Sequence, residues 1–288
     1  MTSPAKAASI EHYENFPVAS VLCPAHLRAP IAAIYHFART ADDIADEGSE
    51  SAQERLEALT AYRQQLVLVS THATVGVETP DPRWAAVFAA LGTAIHKQRL
   101  PVQLLHDLLD AFAQDIAKTR DHAGYTDEAE LRDYCRRSAN PVGRLLLHLY
   151  GVSDNDALLQ SDAICTALQR INFWQDPSVD IPRGRHYFTA ETKGRHQVDE
   201  ADLLALRQTP AITAMLKACV QEARSTMDFG APLVHRVPGR AGWELRLVVQ
   251  GGLRILDKIE ALQFATLRQR PTLRAWDFVV MGWRALWM

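Results

Sequence analysis

Cysteine is sparse in this sequence and never occurs in close pairs. The 288-residue chain has four cysteines, and none of them stands in a C-x-x-C arrangement. The missing spacing argues against a zinc ribbon and against a thioredoxin-like redox site. Isolated cysteines in a chain of this length are typical of small buried hydrophobic residues in a reducing compartment.

The sequence also lacks an excess of charge and any long apolar run. Its formal net charge is -3, with 48% apolar and 23% charged residues, so nothing favours a nucleic-acid partner. No uncharged apolar run is long enough for a membrane span. Residues 1–10 contain no secretory apolar segment, and we expect them to be flexible. These absences predict a cytoplasmic protein with, at most, peripheral contact at the inner face of a membrane.

Alternating strand patterns are almost absent, and apolar residues instead recur at three- and four-residue spacing. Trp84, Phe88, Leu91 and Ile95 form one such stripe, which begins after Asp81-Pro82. No internal repeat or linker divides the chain. We predict one all-α domain over residues 1–288 with about eight to ten helices. The expected segments include helices at 126–151 (kinked at Pro141), 156–176, 199–208, 210–230 and 240–268, and loops at 71–83, 119–126, 181–197 and 231–240.

Four acidic residues stand together at Asp42, Asp43, Asp46 and Glu47. On a helix, Asp42 and Asp46 stack one turn apart, with Asp43 beside them. A solvated acidic face near a helix end would show the same pattern. The preceding residues are apolar and aromatic, however, and acidic side chains at a helix C-terminus oppose the helix dipole. A bound cation would offset both the negative charge of the aspartates in apolar surroundings and its unfavourable interaction with the helix dipole.

A second polar stripe consists of Asn172, Asp176 and Asp180, with Gln169 three residues earlier. Its sequence neighbours are apolar and aromatic, and buried oxygen groups require hydrogen bonds or a cation. A polar stripe that closes a helix bundle remains an alternative. Pro177 removes a backbone hydrogen bond within the stripe, which leaves open how Asp180 lies relative to Asp176.

Together, the two clusters predict a site for Mg²⁺ and a diphosphate. Mg²⁺ prefers carboxylates, retained waters and substrate phosphate oxygens, and several ions around one diphosphate would stabilise its departure. Arg39 lies three residues before Asp42, while Arg183, Arg185 and Tyr187 follow the second stripe. Arginine suits phosphate oxygens because its guanidinium presents a planar fork of donors.

Three segments resemble the squalene and phytoene synthase family: residues 39–47 (RTADDIADE), 134–144 (YCRRSANPVGR) and 169–176 (QRINFWQD), the last continuing to Asp180. The resemblance covers roughly residues 11–270. It implies an all-α isoprenoid synthase fold, a helix bundle around a central cavity, with Mg²⁺ as cofactor. It further implies catalytic metal ligands at Asp42, Asp43, Asp46, Asn172, Asp176 and Asp180, a catalytic Tyr134, and diphosphate contacts at Asn15, Arg39, Gln169, Arg185 and Tyr187.

Within the family, the runs ENFPVAS (residues 14–20), FARTADDIADE (37–47) and NFWQD (172–176) are most similar to the branch that serves hopanoid biosynthesis. The resemblance implies ionisation of presqualene diphosphate, rearrangement of the cation and its capture by water to give hydroxysqualene. It also implies upstream and downstream enzymes of squalene synthesis as partners. Asn15 departs from the family pattern, in which many members have Ser.

Several alternatives remain open at this stage. Head-to-head condensation of two prenyl diphosphates to squalene or phytoene is one, and a non-catalytic assembly factor on the same fold is another. A di-iron bundle would require Glu-x-x-His, which the sequence lacks. His106-Asp107, with His96 nearby, allows a metal phosphohydrolase but is also typical of a polar helix face.

The last residues form an apolar, tryptophan-rich stretch that includes Trp276, Phe278, Trp283 and Trp287. It is too short to cross a bilayer. It could lie in a membrane interface, where tryptophan is favoured. It could equally pack as a last core helix.

Overall fold

A computed structural model describes residues 23–71 and 81–288, and these residues form helices joined by turns and loops, without any strand. The all-α prediction is therefore confirmed. The α-helices are α1 (Ala25–Asp46), α2 (Ala52–Thr71), α3 (Ala85–Gln98), α4 (Val102–Arg120), α5 (Glu128–Ser138), α6 (Asn140–Leu149), α7 (Asn155–Gln175), α8 (Pro177–Asp180), α9 (Ala190–Arg195), α10 (Glu200–Leu204), α11 (Pro210–Gly230), α12 (Arg240–Ala261) and α13 (Ala275–Leu286). Short 3₁₀ turns lie at Pro82–Trp84, Ile181–Arg183 and Ala231–His235.

Several predicted boundaries were wrong. The helix expected at 199–208 ends at Leu204, and the one expected at 240–268 ends at Ala261. In each case left-handed backbone follows, with φ of 51° at Leu206 and 60° at Phe264, and this conformation does not continue a right-handed helix. The helix expected at 126–151 is two helices that meet at Ala139, and the loop expected at 181–197 contains a 3₁₀ turn and α9.

Two hydrophobic clusters occupy the interior. The first lies among α1–α4, where the rings of Phe37 and Tyr62 stack with centroids 5.2 Å apart and Phe88 packs against both. The second surrounds α7, which packs against α5, α6, α11 and α12. Because α1 and α7 are the central helices of these clusters, the acid residues near their C-terminal ends are held on well-packed elements.

The close approach of α6 to α7 depends on Gly143. A Cβ atom at this position would lie 2.4 Å from Ser161 Oγ and 2.6 Å from Cys165 Sγ, both on α7. Glycine therefore permits a contact between these helices that no other residue could make without displacement.

The C-terminal helix α13 packs on the rest of the protein with one side only, and the membrane interface considered from the sequence stays a prediction. Asp277, Met281 and Ala285 are buried on the side that faces α12, whereas Trp276, Trp283 and their neighbours on the opposite side are exposed. Across the part of the chain that the structure describes, we find no helix with the length and apolar character needed to cross a bilayer.

Candidate active site

The first acid cluster lies on the last turns of α1. Arg39, on the same helix, places its guanidinium 3.2 Å from Asp42 and 2.7 Å from Asp43. It also reaches Glu47 just beyond the helix end, at 2.9 Å. Arg55 of α2 donates hydrogen bonds to the carbonyl oxygens of Ala45 and Gly48. These cations offset the unfavourable combination of carboxylates and the negative end of the helix dipole.

The second cluster extends across a helix break without losing its spacing. α7 ends at Gln175, Asp176 stands between the helices, and Pro177 begins the four-residue α8. The Asp180 N–H still donates to the Asp176 carbonyl oxygen, at 2.9 Å. Proline is tolerated here because it occupies the first position of a helix, where its missing N–H is not needed. The one-turn step from Asp176 to Asp180 is therefore preserved.

Arg185 connects the two clusters. Its guanidinium lies 2.5 Å from an Asp46 carboxylate oxygen, and its backbone N–H donates to the Asp180 carbonyl oxygen at 3.0 Å. Gly184, with φ of 77°, provides the left-handed turn that directs the chain from α8 towards α1. The acid groups from α1 and α8 thus lie on one shared site, although they are far apart in the sequence.

The carboxylates of this site lie close enough together to disturb their ionisation. Burial, and then the charge of Asp46, raise the pKa of Asp42 to about 6. Burial, and then the charge of Asp176, raise the pKa of Asp180 to about 7 despite the nearby Arg185. The resident arginines therefore do not fully compensate the negative charge, and this is the electrostatic condition in which a cation binds favourably.

Asp115 on α4 is a site residue that sequence reasoning missed. The Tyr134 hydroxyl donates a hydrogen bond to its carboxylate, and burial, reinforced by the charge of Asp46, raises the Asp115 pKa to about 7. Asp115 belongs to no acidic motif, and its position in the sequence resembles the polar face of an ordinary amphipathic helix. Only the packing of α4 against α1 and α5 reveals it.

Arg270 was also missed. Its guanidinium forms a two-point ion pair with the Asp176 carboxylate, at 2.5 and 3.0 Å. The segment is fixed by Gln175, whose side-chain amide donates to the Pro271 carbonyl oxygen at 2.7 Å. Because Arg270 lies in an irregular segment without a recognisable motif, its sequence gives no signal of this contact.

Aromatic rings form one wall next to the acid groups. The rings of Phe173 and Tyr187 stack at 3.8 Å, and Tyr134 and Tyr125 pack beside Tyr187. A small open cleft lies here, and Asp115, Tyr125, Arg185 and Tyr187 are among its lining residues. Aromatic rings attract cations, and Tyr125 and Tyr187 are the rings of this wall that border the cleft, whereas Phe173 and Tyr134 are buried behind them.

Arg170, which lies inside the second motif, has a structural role. It is buried and forms ion pairs of 2.6 Å with Glu128 on α5 and 2.5 Å with Glu222 on α11. Thr189 and Thr192 also donate hydrogen bonds to Glu128. This network fixes the rotation of α7 and therefore the direction in which Asn172 and Gln169 project.

The remaining predicted residues are placed as follows. Asn172 is exposed and Gln169 half-buried, both near the C-terminal end of α7, and Arg183 is exposed in the 3₁₀ turn that follows α8. Asn15 lies outside the described residues, as do the run ENFPVAS and residues 1–10. The structure thus brings Asp42, Asp46, Asp180 and Arg185 together, and the individual catalytic and metal-binding roles stay predictions.

The donor set fits Mg²⁺ that is shared with a substrate. Within residues 23–71 and 81–288, no three acidic, histidine or cysteine side chains converge closely enough to enclose a metal by themselves. Mg²⁺ does not need such a cage, because it commonly binds one or two carboxylates together with waters and phosphate oxygens. Asp42 and Asp180, whose negative charges are incompletely compensated, would provide those carboxylates.

The His106 alternative gains no support from the structure. His106 Nδ1 lies 3.4 Å from Arg63, which pairs with Asp110 at 2.6 Å, and His96 Nε2 lies 2.8 Å from the Val69 carbonyl oxygen. These contacts join α3 and α4 to α2. They are helix-packing contacts, as expected of a polar helix face.

The all-α fold agrees with the comparisons to known proteins. Residues 10–277 match the family model described as squalene/phytoene synthase. The chain belongs to the squalene/phytoene synthase family, and the resemblance noted from its motifs is confirmed.

Within this family, the chain is similar to several individual proteins over most of its length. The chain is 31% identical to a hydroxysqualene synthase of Rhodopseudomonas palustris over 95% of its own length and 88% of that protein. It is also 31% identical to a hydroxysqualene synthase of Sinorhizobium fredii, over 93% of its length and 84% of the relative. Among solved structures it is similar to squalene synthase HpnC from Alicyclobacillus acidocaldarius. That likeness has 34% identity, a TM-score of 0.77, and coverage of 88% of this chain and 90% of the other. The isoprenoid synthase fold is therefore confirmed.

Proposed function

We propose that this protein is a hydroxysqualene synthase. It would ionise presqualene diphosphate, and water would capture the rearranged cation to give hydroxysqualene and diphosphate. The observation that carries the proposal is the junction at Arg185, which brings Asp46 of the first motif and Asp180 of the second to one site. The two relatives of that name, each 31% identical over most of the chain, support the choice of reaction.

The chemistry requires that a carbon–oxygen bond break with its electron pair leaving on diphosphate. Mg²⁺ would supply charge neutralisation for that leaving group, held by Asp42, Asp43 and Asp46 on one side and by Asn172, Asp176 and Asp180 on the other. Arg39 and Arg185 would bind the remaining phosphate oxygens, because both guanidinium groups already lie among the carboxylates.

The aromatic wall would then stabilise the cation while keeping water from most of its surface. Tyr187 and Tyr125 line the cleft beside Asp115 and Arg185, and Phe173 and Tyr134 pack against Tyr187 behind it. One water must still reach the cation, form the new carbon–oxygen bond and lose a proton. The departing diphosphate, Asp46 or Asp180 would accept that proton, since these are bases at the same site.

The reaction also suggests where the protein works. Presqualene diphosphate carries a long hydrocarbon and hydroxysqualene is almost entirely apolar, so free diffusion of either through water is unfavourable. We propose that the protein makes peripheral contact with the inner face of a membrane. Enzymes that form its substrate and consume its product would work at the same surface.

Product analysis with isotopically labelled water tests this function. Protein incubated with presqualene diphosphate, Mg²⁺ and ¹⁸O-water should give labelled hydroxysqualene, and NADPH should not change the product. Squalene that appears only with NADPH would instead indicate a squalene synthase, the name carried by the structural relative that is 34% identical. Turnover restricted to geranylgeranyl diphosphate would indicate a phytoene synthase. No Mg²⁺-dependent diphosphate release from any of these substrates would favour the non-catalytic assembly factor.

A further inference from the structure

The exposed side of α13 is unusually rich in aromatic residues. Trp276, Val279, Trp283, Leu286 and Trp287 are all exposed, with Trp276 and Trp287 at 70% and 78% of their maximum. At 100° per residue these positions form one stripe about 100° wide along the helix. We call this stripe the α13 aromatic face. Buried Asp277, Met281 and Ala285 lie on the other side of the helix.

The α13 aromatic face belongs to a helix that is firmly held. Buried Asp277 accepts hydrogen bonds from Arg254, at 2.7 Å, and from Lys258, both on α12, and from the Arg274 backbone N–H. Burial alone would raise the Asp277 pKa, but these donors outweigh it and lower the pKa to about 2. The carboxylate is therefore ionised at any physiological pH. The tryptophans project from this fixed position and are not loosely tethered.

Tryptophan is concentrated on this side of the molecule. Of the six tryptophans, only Trp84 and Trp174 are buried, while Trp243 is exposed and adjoins α13. Arg246 lies over the Trp243 ring at 4.7 Å and also donates hydrogen bonds to the Ala285 and Met288 carbonyl oxygens. A cluster of exposed tryptophans with adjacent arginines is typical of surfaces that sit at the boundary of lipid and water.

The charge of residues 268–288 favours an anionic bilayer over a second copy of the chain as the partner of the α13 aromatic face. Residues 268–288 contain four arginines and a single acidic residue, Asp277, and so carry a formal side-chain charge of +3 in a chain of net charge -3. Asp277 is buried and paired with α12, while Arg270 pairs with Asp176 and Arg284 pairs with Asp257. Among the described residues, no acidic side chain pairs with Arg268 or Arg274, so these two exposed arginines supply the positive charge of the surface. An anionic bilayer would complement this charge. A symmetric pair of chains would instead bring two such segments together, with like charges opposed.

We infer that the α13 aromatic face docks on an anionic lipid bilayer, with α13 lying parallel to the membrane surface. A helix of 12 residues is about 18 Å long, which suits lying in the interface and is too short for a span of about 30 Å. This inference deepens the membrane contact proposed above by naming the surface that makes it. It does not depend on which reaction the site catalyses.

The same surface lies near the candidate active site along the chain. Arg270 pairs with Asp176, and six residues later the chain reaches Trp276, so the two points are separated by at most about 20 Å of extended chain. Docking through α13 would therefore hold the site within a short distance of the lipid. An apolar product could then enter the bilayer without crossing bulk water.

Vesicle sedimentation with the full chain tests the inference. The wild type should bind vesicles of phosphatidylcholine plus phosphatidylglycerol, more weakly as salt is raised, and should bind pure phosphatidylcholine vesicles less. Exchanging two exposed tryptophans, Trp276→Ala with Trp283→Ala, should reduce partitioning about tenfold or more. The control Phe229→Ala removes an equally exposed ring from α11, at 61%, and should leave partitioning unchanged.

Circular dichroism melts would verify that each variant is folded, which is expected because all three side chains are exposed. Equal vesicle binding by the wild type and the double variant would overturn the inference. So would a wild type that does not bind vesicles but sediments as a dimer that the double variant dissociates, since the face would then join two copies. Loss of lipid binding with diphosphate release in detergent unchanged would support the surface separately from the proposed reaction.

Discussion

In the first acid cluster, the three aspartates stand on the last turns of an unbroken 22-residue helix, whereas the second cluster is divided between the end of α7 and the four-residue α8. The first is built by helical periodicity alone. The second keeps the same one-turn step only because Pro177 occupies the first position of a new helix, where proline is compatible with helical geometry. Equal spacing in a sequence can therefore arise from two different backbone arrangements.

The clusters also differ in the origin of their neutralising cations. Arg39 lies on the same helix as the aspartates it pairs with, so sequence spacing alone indicates the contact. Asp176 instead pairs with Arg270 from the segment after α12. Asp46 pairs with Arg185, so the first cluster also depends on a distant partner. Local ion pairs can be predicted from a sequence, and long-range ones require the packing of whole helices.

Substituting one aspartate of each cluster should have the largest effect. Asp43→Asn and Asp176→Asn should each lower Mg²⁺-dependent diphosphate release by about 1,000-fold, because each removes anionic charge where the metal is proposed to bind. If both clusters hold metal around one diphosphate, the two losses should be similar. Stopped-time assays of diphosphate at saturating Mg²⁺ would measure them.

Folding provides the control for these substitutions. Each substitution removes one repelling carboxylate together with a partly exposed ion pair, to Arg39 or to Arg270, so the melting temperature in a chelator should change little. The comparison variant Asp202→Asn changes a carboxylate of α10 that pairs with the exposed Arg207, and it should retain full activity. Near-normal turnover of Asp176→Asn alongside an inactive Asp43→Asn would show that the second cluster is structural.

The contrast between the clusters explains how much the sequence could reveal. Helical periodicity predicted the all-α fold and both acid stripes, because these depend on residues a few positions apart. Asp115 and Arg270 went unrecognised because their importance arises only when α4 packs on α1 and when the chain after α12 returns to α7. Helix ends were the least accurate, since left-handed residues such as Leu206 carry no distinctive sequence signal.

The third carboxylate, Asp115, belongs to neither cluster and should show an intermediate effect. Asp115→Ala should reduce turnover by about 10- to 100-fold, because it removes the acceptor that orients the Tyr134 hydroxyl beside the aromatic wall. Tyr134→Phe should produce a loss of similar size, and the double variant should be no worse than either alone, since the two side chains act as a pair. Strictly additive losses would contradict that coupling.

Packing beneath the second cluster can be disturbed without changing either cluster's charges. Gly143→Ala should lower the free energy of unfolding by about 1–3 kcal/mol, because the new methyl group would overlap Ser161 and Cys165 of α7. Urea denaturation would measure the change. Gly194→Ala is the matched control: it lies in α9 with open space around its Cβ position, and it should be neutral or slightly stabilising.

The smallest expected effect is a pH dependence of the folding stability of the metal-free protein. The folded-state pKa is raised to about 6 at Asp42 and to about 7 at Asp180, above the ordinary value near 4 of an unfolded chain. Between about pH 4 and pH 7 the folded state therefore binds more protons than the unfolded state. Linkage then requires stability in a chelator to fall as pH rises through this window and to level off above it, by an amount on the order of 1 kcal/mol after solvent screening.

Asp180→Asn should weaken this dependence up to about pH 7, whereas Asp42→Asn should weaken it only up to about pH 6, so the two clusters would be distinguished by their windows. Asp115, whose pKa is also raised to about 7, should maintain part of the dependence in both variants. Thermal melts in EDTA across pH 5–8 would measure both. Adding Mg²⁺ with inorganic diphosphate should restore stability most at the upper end, where the carboxylates are ionised and repel one another. A wild-type melting temperature that rises with pH through this window in EDTA would contradict the raised pKa values, because burial and like-charge repulsion together require stability to fall there.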